Sequence, residues 1–201
     1  MSVPSYSIRC TQCDYRSSSL ATNGCYYYKD DDGEFNLEKQ LGWCNGCQSI
    51  TAIEDFDDTA EAAAKIKSEL ECIRRDTGTI FANILNVLFP SRREWLGDVS
   101  TNINNHAKYI QLAQKRAGQE RCLKCGSHVV EAYKPIREGG GFKETGDFML
   151  HGQHGTNVEH PGCGGTFYEK ADDMRFSMVS YSKFYTTDGV FIESCLEKTK
   201  Y

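Results

Sequence analysis

The segment Arg121-Cys122-Leu123-Lys124-Cys125 places two cysteines three positions apart, and this C-x-x-C spacing recurs along the chain. Two intervening residues allow both ligands to reach one metal ion from a tight turn, an arrangement called a zinc knuckle. Four knuckles are present, the last with histidine as its first ligand: Cys10/Cys13, Cys44/Cys47, Cys122/Cys125 and His160/Cys163. Two knuckles complete one tetrahedral site, so the chain is expected to bind two ions.

The knuckles repeat at nearly constant intervals. Cys10 and Cys122 are 112 positions apart, and Cys44 and His160 are 116 positions apart. We therefore interpret the chain as two copies of one unit and expect the knuckles to pair within each copy. This predicts one site formed by Cys10, Cys13, Cys44 and Cys47 and a second formed by Cys122, Cys125, His160 and Cys163.

The histidine ligand of the second site has two competitors. His151 and His154 lie in the same glycine-containing stretch as His160, so either could replace it or bind a further ion. We expect two structural Zn²⁺ ions, although an all-sulfur site also suits iron. Seven thiolates and two dications together add three negative charges, which takes the formal net charge from −5 to about −8.

The two predicted units resemble zinc ribbons with rubredoxin-like knuckles, in which a knuckle, a hairpin, a second knuckle and a closing strand follow one another. The segment His160-Pro161-Gly162-Cys163-Gly164-Gly165 is similar to the Pro-x-Cys-Gly knuckle of that group, with histidine in place of the first cysteine. The segment Cys44-Asn45-Gly46-Cys47 lacks the proline. The resemblance implies small antiparallel β units held by zinc, and it implies no particular activity.

Between the two units the pattern becomes helical. Glu54 belongs to a run of carboxylates that suits the positive end of a following helix, and apolar residues then recur at spacings of three and four. A denser apolar segment, Ile80–Phe89, is ended by Pro90, and Arg116 lies at the end of a last helix before Gly118. The predicted fold class is α+β.

The predicted domain organisation follows from these segments. A zinc ribbon at residues 1–57 and a zinc ribbon with an extra β-hairpin at residues 119–201 flank a helical hairpin or three-helix module at residues 58–118. The three remaining cysteines, Cys25, Cys72 and Cys195, are interpreted as packing or exposed residues and not as ligands.

Composition narrows the classes of function. A net charge of −5 argues against a protein whose main role is to bind a phosphate backbone. No stretch approaches the ~20 consecutive apolar residues of a membrane span. The first residues contain no secretion signal, and ten cysteines without such a signal favour metal sites in a cytoplasmic protein over disulfides.

Three functions remain, and we expect the first. It is a non-catalytic protein that binds a protein partner or forms a homo-oligomer, because paired knuckles leave no open metal position. The first alternative is nucleic-acid binding, with unpaired bases stacked on Tyr26, Tyr27, Tyr28, Phe35 or Trp43. The second alternative is a metal-dependent hydrolase that uses the loop containing His151 and His154.

Overall fold

A computed structural model describes residues 2–77, 89–133, 153–177 and 181–196. These residues form eleven strands, two α-helices and a short 3-10 helix, which confirms the α+β class. The helices are α1 (Thr59–Thr77) and α2 (Pro90–Arg116), and the 3-10 helix is Ser19–Thr22. The strands are β1 (Ser2–Cys10), β2 (Arg16–Ser18), β3 (Cys25–Asp30), β4 (Gly33–Asn36), β5 (Lys39–Cys44), β6 (Ser49–Glu54), β7 (Val130–Ala132), β8 (Gln153–Glu159), β9 (Thr166–Ser177), β10 (Tyr181–Thr186) and β11 (Phe191–Leu196).

Three sheets combine strands from both sides of the helices. The first has the order β2-β1-β9-β8, and the third has the order β6-β5-β7; both are antiparallel. The second has the order β11-β10-β3-β4, in which β10 runs parallel to β3. The domain division at residues 57 and 118 stays a prediction, but the two ends of the chain clearly share each sheet.

Local sequence explains the two tight hairpins. Between β3 and β4, the Asp30 side chain accepts a hydrogen bond from the Asp32 amide, and Gly33 adopts a φ of 129°. Between β10 and β11, the Gly189 amide donates to Thr186 O while Gly189 adopts a φ of 76°. Glycine takes these positive angles without the steric cost of a side chain. The predicted C-terminal hairpin is therefore confirmed.

The helices form the hairpin that the pattern predicted in the middle of the chain. Pro90 stands at the start of α2, where its missing N–H costs no hydrogen bond. The predicted apolar segment Ile80–Phe89 lies outside the described residues except for its last member, Phe89. The C-terminal half of α2 is buried through Tyr109, Leu112 and Ala113.

Two apolar clusters hold the sheets and helices together. The larger one joins α2 to β3, β4, β6 and β10, with Tyr28, Phe35 and Tyr185 among its most buried members. The smaller one contains Ile8 and Phe167, which lie on the paired strands β1 and β9. Each cluster takes residues from both sides of the helices, so neither side has a core of its own among the residues that the structure describes.

Candidate metal centre

Three of the four knuckles direct a backbone amide at one of their own sulfurs. The amide of the second residue after a ligand cysteine donates to that cysteine's Sγ in three knuckles, at 3.4 Å each: Gln12 to Cys10, Lys124 to Cys122 and Gly165 to Cys163. Hydrogen bonds to a sulfur favour its thiolate form, which is the form that binds metal. The backbone of these knuckles therefore favours the metal-binding form of their cysteines even without a bound ion.

Small residues are required where the knuckles pack closely. Gly126 and Gly164 directly follow a ligand cysteine and adopt φ values of 73° and 72°, which only glycine takes readily. A Cβ atom on Gly165 would lie 2.5 Å from the Cys10 Sγ. Because these glycines leave room for the turns and for the opposite sulfur, the sequence around each cysteine matters as much as its spacing.

The first ligand group joins the first knuckle to the last. Cys10, Cys13, His160 and Cys163 place their ligand atoms within 4.8 Å of one another, and we call this set the histidine group. The Cys10 Sγ lies 3.4 Å from the Cys163 Sγ. The His160 Nδ1 lies 3.3 Å from the Cys13 Sγ and 3.1 Å from the Cys163 Sγ. His160 therefore presents Nδ1, and not Nε2, to the three sulfurs.

The second ligand group joins the two middle knuckles. Cys44, Cys47, Cys122 and Cys125 also lie within 4.8 Å of one another, and we call this set the all-cysteine group. The Cys44 Sγ lies 3.5 Å from the Cys125 Sγ, and the Cys47 Sγ lies 3.8 Å from the Cys122 Sγ. Cys44 and Cys122 are buried, whereas Cys125 is exposed at the protein surface.

Both groups fit one tetrahedral ion each. Metal–sulfur bonds of about 2.3 Å in tetrahedral geometry separate two sulfurs by about 3.8 Å, and replacing one sulfur by a nitrogen shortens that separation by a few tenths of an ångström. The observed distances of 3.1–3.8 Å follow this pattern. Two metal ions could therefore be held by these eight residues; thiolate and imidazole ligands suit both zinc and iron.

The predicted pairing of the knuckles was wrong, although all eight predicted ligands belong to the two groups. Pairing within each half would have grouped Cys10 with Cys44, and Cys122 with His160. Instead, β1 pairs with β9 and so brings the first knuckle to the last, while β5 pairs with β7 beside the middle knuckles. The spacing of two ligands within one knuckle is visible in the local sequence. Which second knuckle completes the site depends on pairing between strands that are far apart in the sequence. The predicted duplication stays a prediction.

The thiols of each group differ strongly in their tendency to ionise. Burial opposes ionisation of Cys10, but hydrogen bonds from the Gln12 amide and from neighbouring ligands lower its pKa to about 6. The Ser127 amide is the main cause of the lowered pKa of Cys125, about 7. Burial raises the pKa of Cys47 to about 11 and that of Cys122 further. A bound dication would supply the positive charge that lets all three sulfurs of the histidine group, and all four of the all-cysteine group, become thiolates.

An aromatic cage holds His160 in place. Its ring lies 4.8 Å from that of Tyr15, 5.1 Å from that of Trp43 and 5.0 Å from that of Phe167, measured between centroids. The His160 side chain is buried, so its orientation is fixed by packing as well as by the knuckle. The sequence prediction missed Tyr15 in this role, since a lone tyrosine after a knuckle carries no distinguishing pattern.

The structure leaves the two competing histidines untested as ligands. His151 lies outside the described residues. His154 lies on β8 with its backbone opposite Glu169, and its side chain lies outside the described atoms. Within the described residues, Cys25, Cys72 and Cys195 belong to neither group and form no disulfide. The eight ligands of the two groups are thus the metal candidates that the described part of the chain offers.

The aromatic residues that could have stacked on nucleic-acid bases are mostly buried. Tyr26, Tyr28, Phe35 and Trp43 are each less than a twentieth exposed. Tyr27 stacks against Phe184 with 5.5 Å between ring centroids. Side chains alternate between the two faces of β3, and Tyr26 and Tyr28 share the face that packs on the core. The four buried rings therefore offer no surface for an unpaired base.

Metal content should depend on His160. The purified protein is expected to contain two metal ions per chain, and His160→Ala should contain one because the histidine group loses a ligand. His160→Cys should restore two ions. Elemental analysis of protein prepared without added metal measures these ratios, and His106→Ala is a matched control because His106 lies on α2 away from both groups. Two ions in His160→Ala would contradict the assignment.

Neither described helix is both long and apolar enough to cross a bilayer. Comparisons of the chain with protein-family models, with curated proteins and with solved structures found no match. The two Cys/His groups therefore stand as the chemical features from which a function can be inferred.

Proposed function

We propose that this chain is a non-catalytic interaction protein whose fold is stabilised by two structural Zn²⁺ ions. Each ligand group offers four protein ligands, which close a tetrahedral coordination sphere and leave no position for a substrate. The seven ligand cysteines must remain reduced, so a reducing compartment such as the cytoplasm suits the protein. The partner that we propose is another protein chain.

The exposed strand β11 carries this proposal. All six of its residues are exposed, and Phe191, Ile192 and Leu196 are 52%, 42% and 56% exposed. Among the described strands, β11 also ends its sheet, because it pairs with β10 on one side only. An apolar edge strand presents backbone N–H and C=O groups that readily pair with another strand. A partner strand added there would continue the sheet.

We propose that the added strand is β11 of a second copy. Around a two-fold axis, an antiparallel pair centred on Ser194 places Ile192 opposite the partner's Leu196 and Glu193 opposite the partner's Cys195. Apolar side chains then face each other, and no two carboxylates oppose one another, as they would if the axis passed through Glu193. The strand is thus complementary to itself, as a symmetric dimer requires.

Sedimentation velocity of the metal-loaded protein should show a dimer that dissociates on dilution. Ile192→Lys should be monomeric, because a lysine on an edge strand opposes pairing. Leu70→Lys is the matched control. Like Ile192, Leu70 is an exposed aliphatic residue, 52% exposed, but it lies on α1. A wild-type protein that stays monomeric at its highest soluble concentration would refute the dimer, as would equal dissociation in both variants.

Disulfide cross-linking tests the register. In a Cys195→Ser background, Ser194→Cys should form a covalent dimer under mild oxidation, because position 194 faces itself across the axis. Ile192→Cys in the same background should not, because it faces the partner's Leu196. The metal content of both variants should stay at two ions per chain, which separates a failure of this interface from a failure of the metal groups.

A further inference from the structure

A groove lies where the three sheets meet, beside the knuckle that contains Cys122 and Cys125. It is bounded by the 3-10 helix, by β6 and by the β10–β11 hairpin, and it has a volume of about 620 Å³. That volume is typical of sites that bind small molecules. Two lysines, Lys124 and Lys183, line it, and no aspartate or glutamate is among the described residues that do so. This is unusual in a chain of net charge −5.

Two ammonium groups lie at the ring of Tyr26, a residue that lines this groove. The Lys183 Nζ donates to the Tyr26 hydroxyl at 3.0 Å and lies 4.8 Å from the centre of the Tyr26 ring. The Lys39 Nζ lies 4.4 Å from the same centre. Burial lowers the pKa of Lys39; Glu38 and Cys25 oppose this effect, and the charge of Lys183 adds a smaller lowering. Two ammonium groups therefore share one aromatic ring and repel each other.

These lysines form no ion pair in the part of the chain that the structure describes. The carboxylates paired with cations belong to other lysines and arginines, including Lys29, Lys65 and Lys108. Lys124, Lys183 and Lys39 are thus left with positive charge that an external anion would neutralise. Such neutralisation would also relieve the repulsion between the two ammonium groups at Tyr26.

Part of the groove lining is apolar. Phe191 lines it and is half exposed, and its ring meets that of Tyr185 edge to face with 5.6 Å between centroids. Leu20 of the 3-10 helix also lines the groove. A flat apolar ring can pack on such a surface, with its polar edge left in water. The groove lining thus combines ammonium groups that suit an anion with apolar side chains that suit a ring.

We infer that this groove binds a nucleotide-sized ligand that joins a phosphate group to a planar ring. The phosphate would accept hydrogen bonds from Lys183 and Lys124, and the ring would pack against Phe191. Lysine binds phosphate as a compact point charge with three donors, which suits an ester whose orientation is fixed by the ring. This inference requires neither the metal assignment nor the dimer.

Isothermal titration calorimetry with adenosine 5′-monophosphate, adenosine and inorganic phosphate tests the two-part site. The monophosphate should bind at least about tenfold more tightly than either fragment, since phosphate contacts only the lysines and adenosine contacts only the apolar side chains. Lys183→Gln and Lys124→Gln should each weaken binding of the monophosphate by about tenfold or more and leave the affinity for adenosine unchanged. Elemental analysis should give two ions per chain in each variant.

Lys65→Gln is the control for general electrostatics, because it removes the same charge from the exposed surface of α1. It should leave the affinity for the monophosphate unchanged. The inference is overturned if the monophosphate fails to bind, if adenosine binds as tightly as the monophosphate, or if Lys65→Gln weakens binding as much as Lys183→Gln does.

Discussion

Replacing Cys10 and Cys163 together by serine is expected to leave one metal ion per chain, whereas replacing Cys10 and Cys44 together is expected to leave none. The first double variant damages only the histidine group and keeps the all-cysteine group intact. The second removes one ligand from each group. The two variants lose the same number of cysteines, so each is the control for the other. Elemental analysis of protein purified without added metal gives the ratios.

The two double variants should also differ in folding. Structural zinc contributes apparent free energies of ~10–16 kcal/mol in small peptides, so losing both ions should leave the chain largely unfolded in circular dichroism. The variant that keeps the all-cysteine group should retain β structure around β5, β6 and β7, which that group holds together. Pairing of the knuckles within each half would give the reverse metal ratios, and that result would contradict the observed groups.

Replacing Arg116 by methionine is expected to destabilise the protein by about 3–5 kcal/mol, the usual effect of leaving a buried charge without its partner. Glu54 is 0% exposed and Arg116 is 5% exposed. The Arg116 guanidinium donates to both Glu54 oxygens, at 3.0 and 2.6 Å. The Tyr28 hydroxyl and the Arg121 amide each donate to the same carboxylate at 2.9 Å. This network connects the end of α2 to β6 and β3.

Urea unfolding of the metal-loaded protein measures this effect. The double variant Glu54→Gln/Arg116→Met should recover part of the lost stability, because the uncompensated carboxylate is gone. Lys65→Met, which breaks the exposed Glu61–Lys65 pair, is the control and should change stability very little. If Arg116→Met is no more destabilising than Lys65→Met, the buried pair does not hold α2 to the sheets.

Features set by neighbouring residues were predictable from the sequence. The four knuckles were found by spacing, because their turns and amide–sulfur contacts are made within a few residues. The Asp30–Gly33 turn is equally local, since the Asp30 side chain accepts a hydrogen bond from the amide two positions on. The α+β class followed from the change in apolar periodicity near residue 58.

Features set by distant residues were not predictable. The exchange of knuckles between the halves depends on β1 meeting β9, and no local pattern in β1 specifies that partner. Glu54 was interpreted as part of a carboxylate run before α1, and Arg116 as a basic residue at a helix end. Both are instead buried against each other. The local sequence around a charged residue near a helix terminus does not reveal whether that residue faces water or the core.

If the two groups bind metal during synthesis, the exchanged pairing of the knuckles sets the order in which they become complete. The all-cysteine group spans 81 positions between Cys44 and Cys125, whereas the histidine group spans 153 positions between Cys10 and Cys163. During synthesis from the N-terminus, the first knuckle emerges earliest but finds its partner last. At about 5–20 residues per second, its two thiols wait for several seconds after the all-cysteine group is complete. The all-cysteine group would then close first, and the histidine group would join β1 to β9 afterwards.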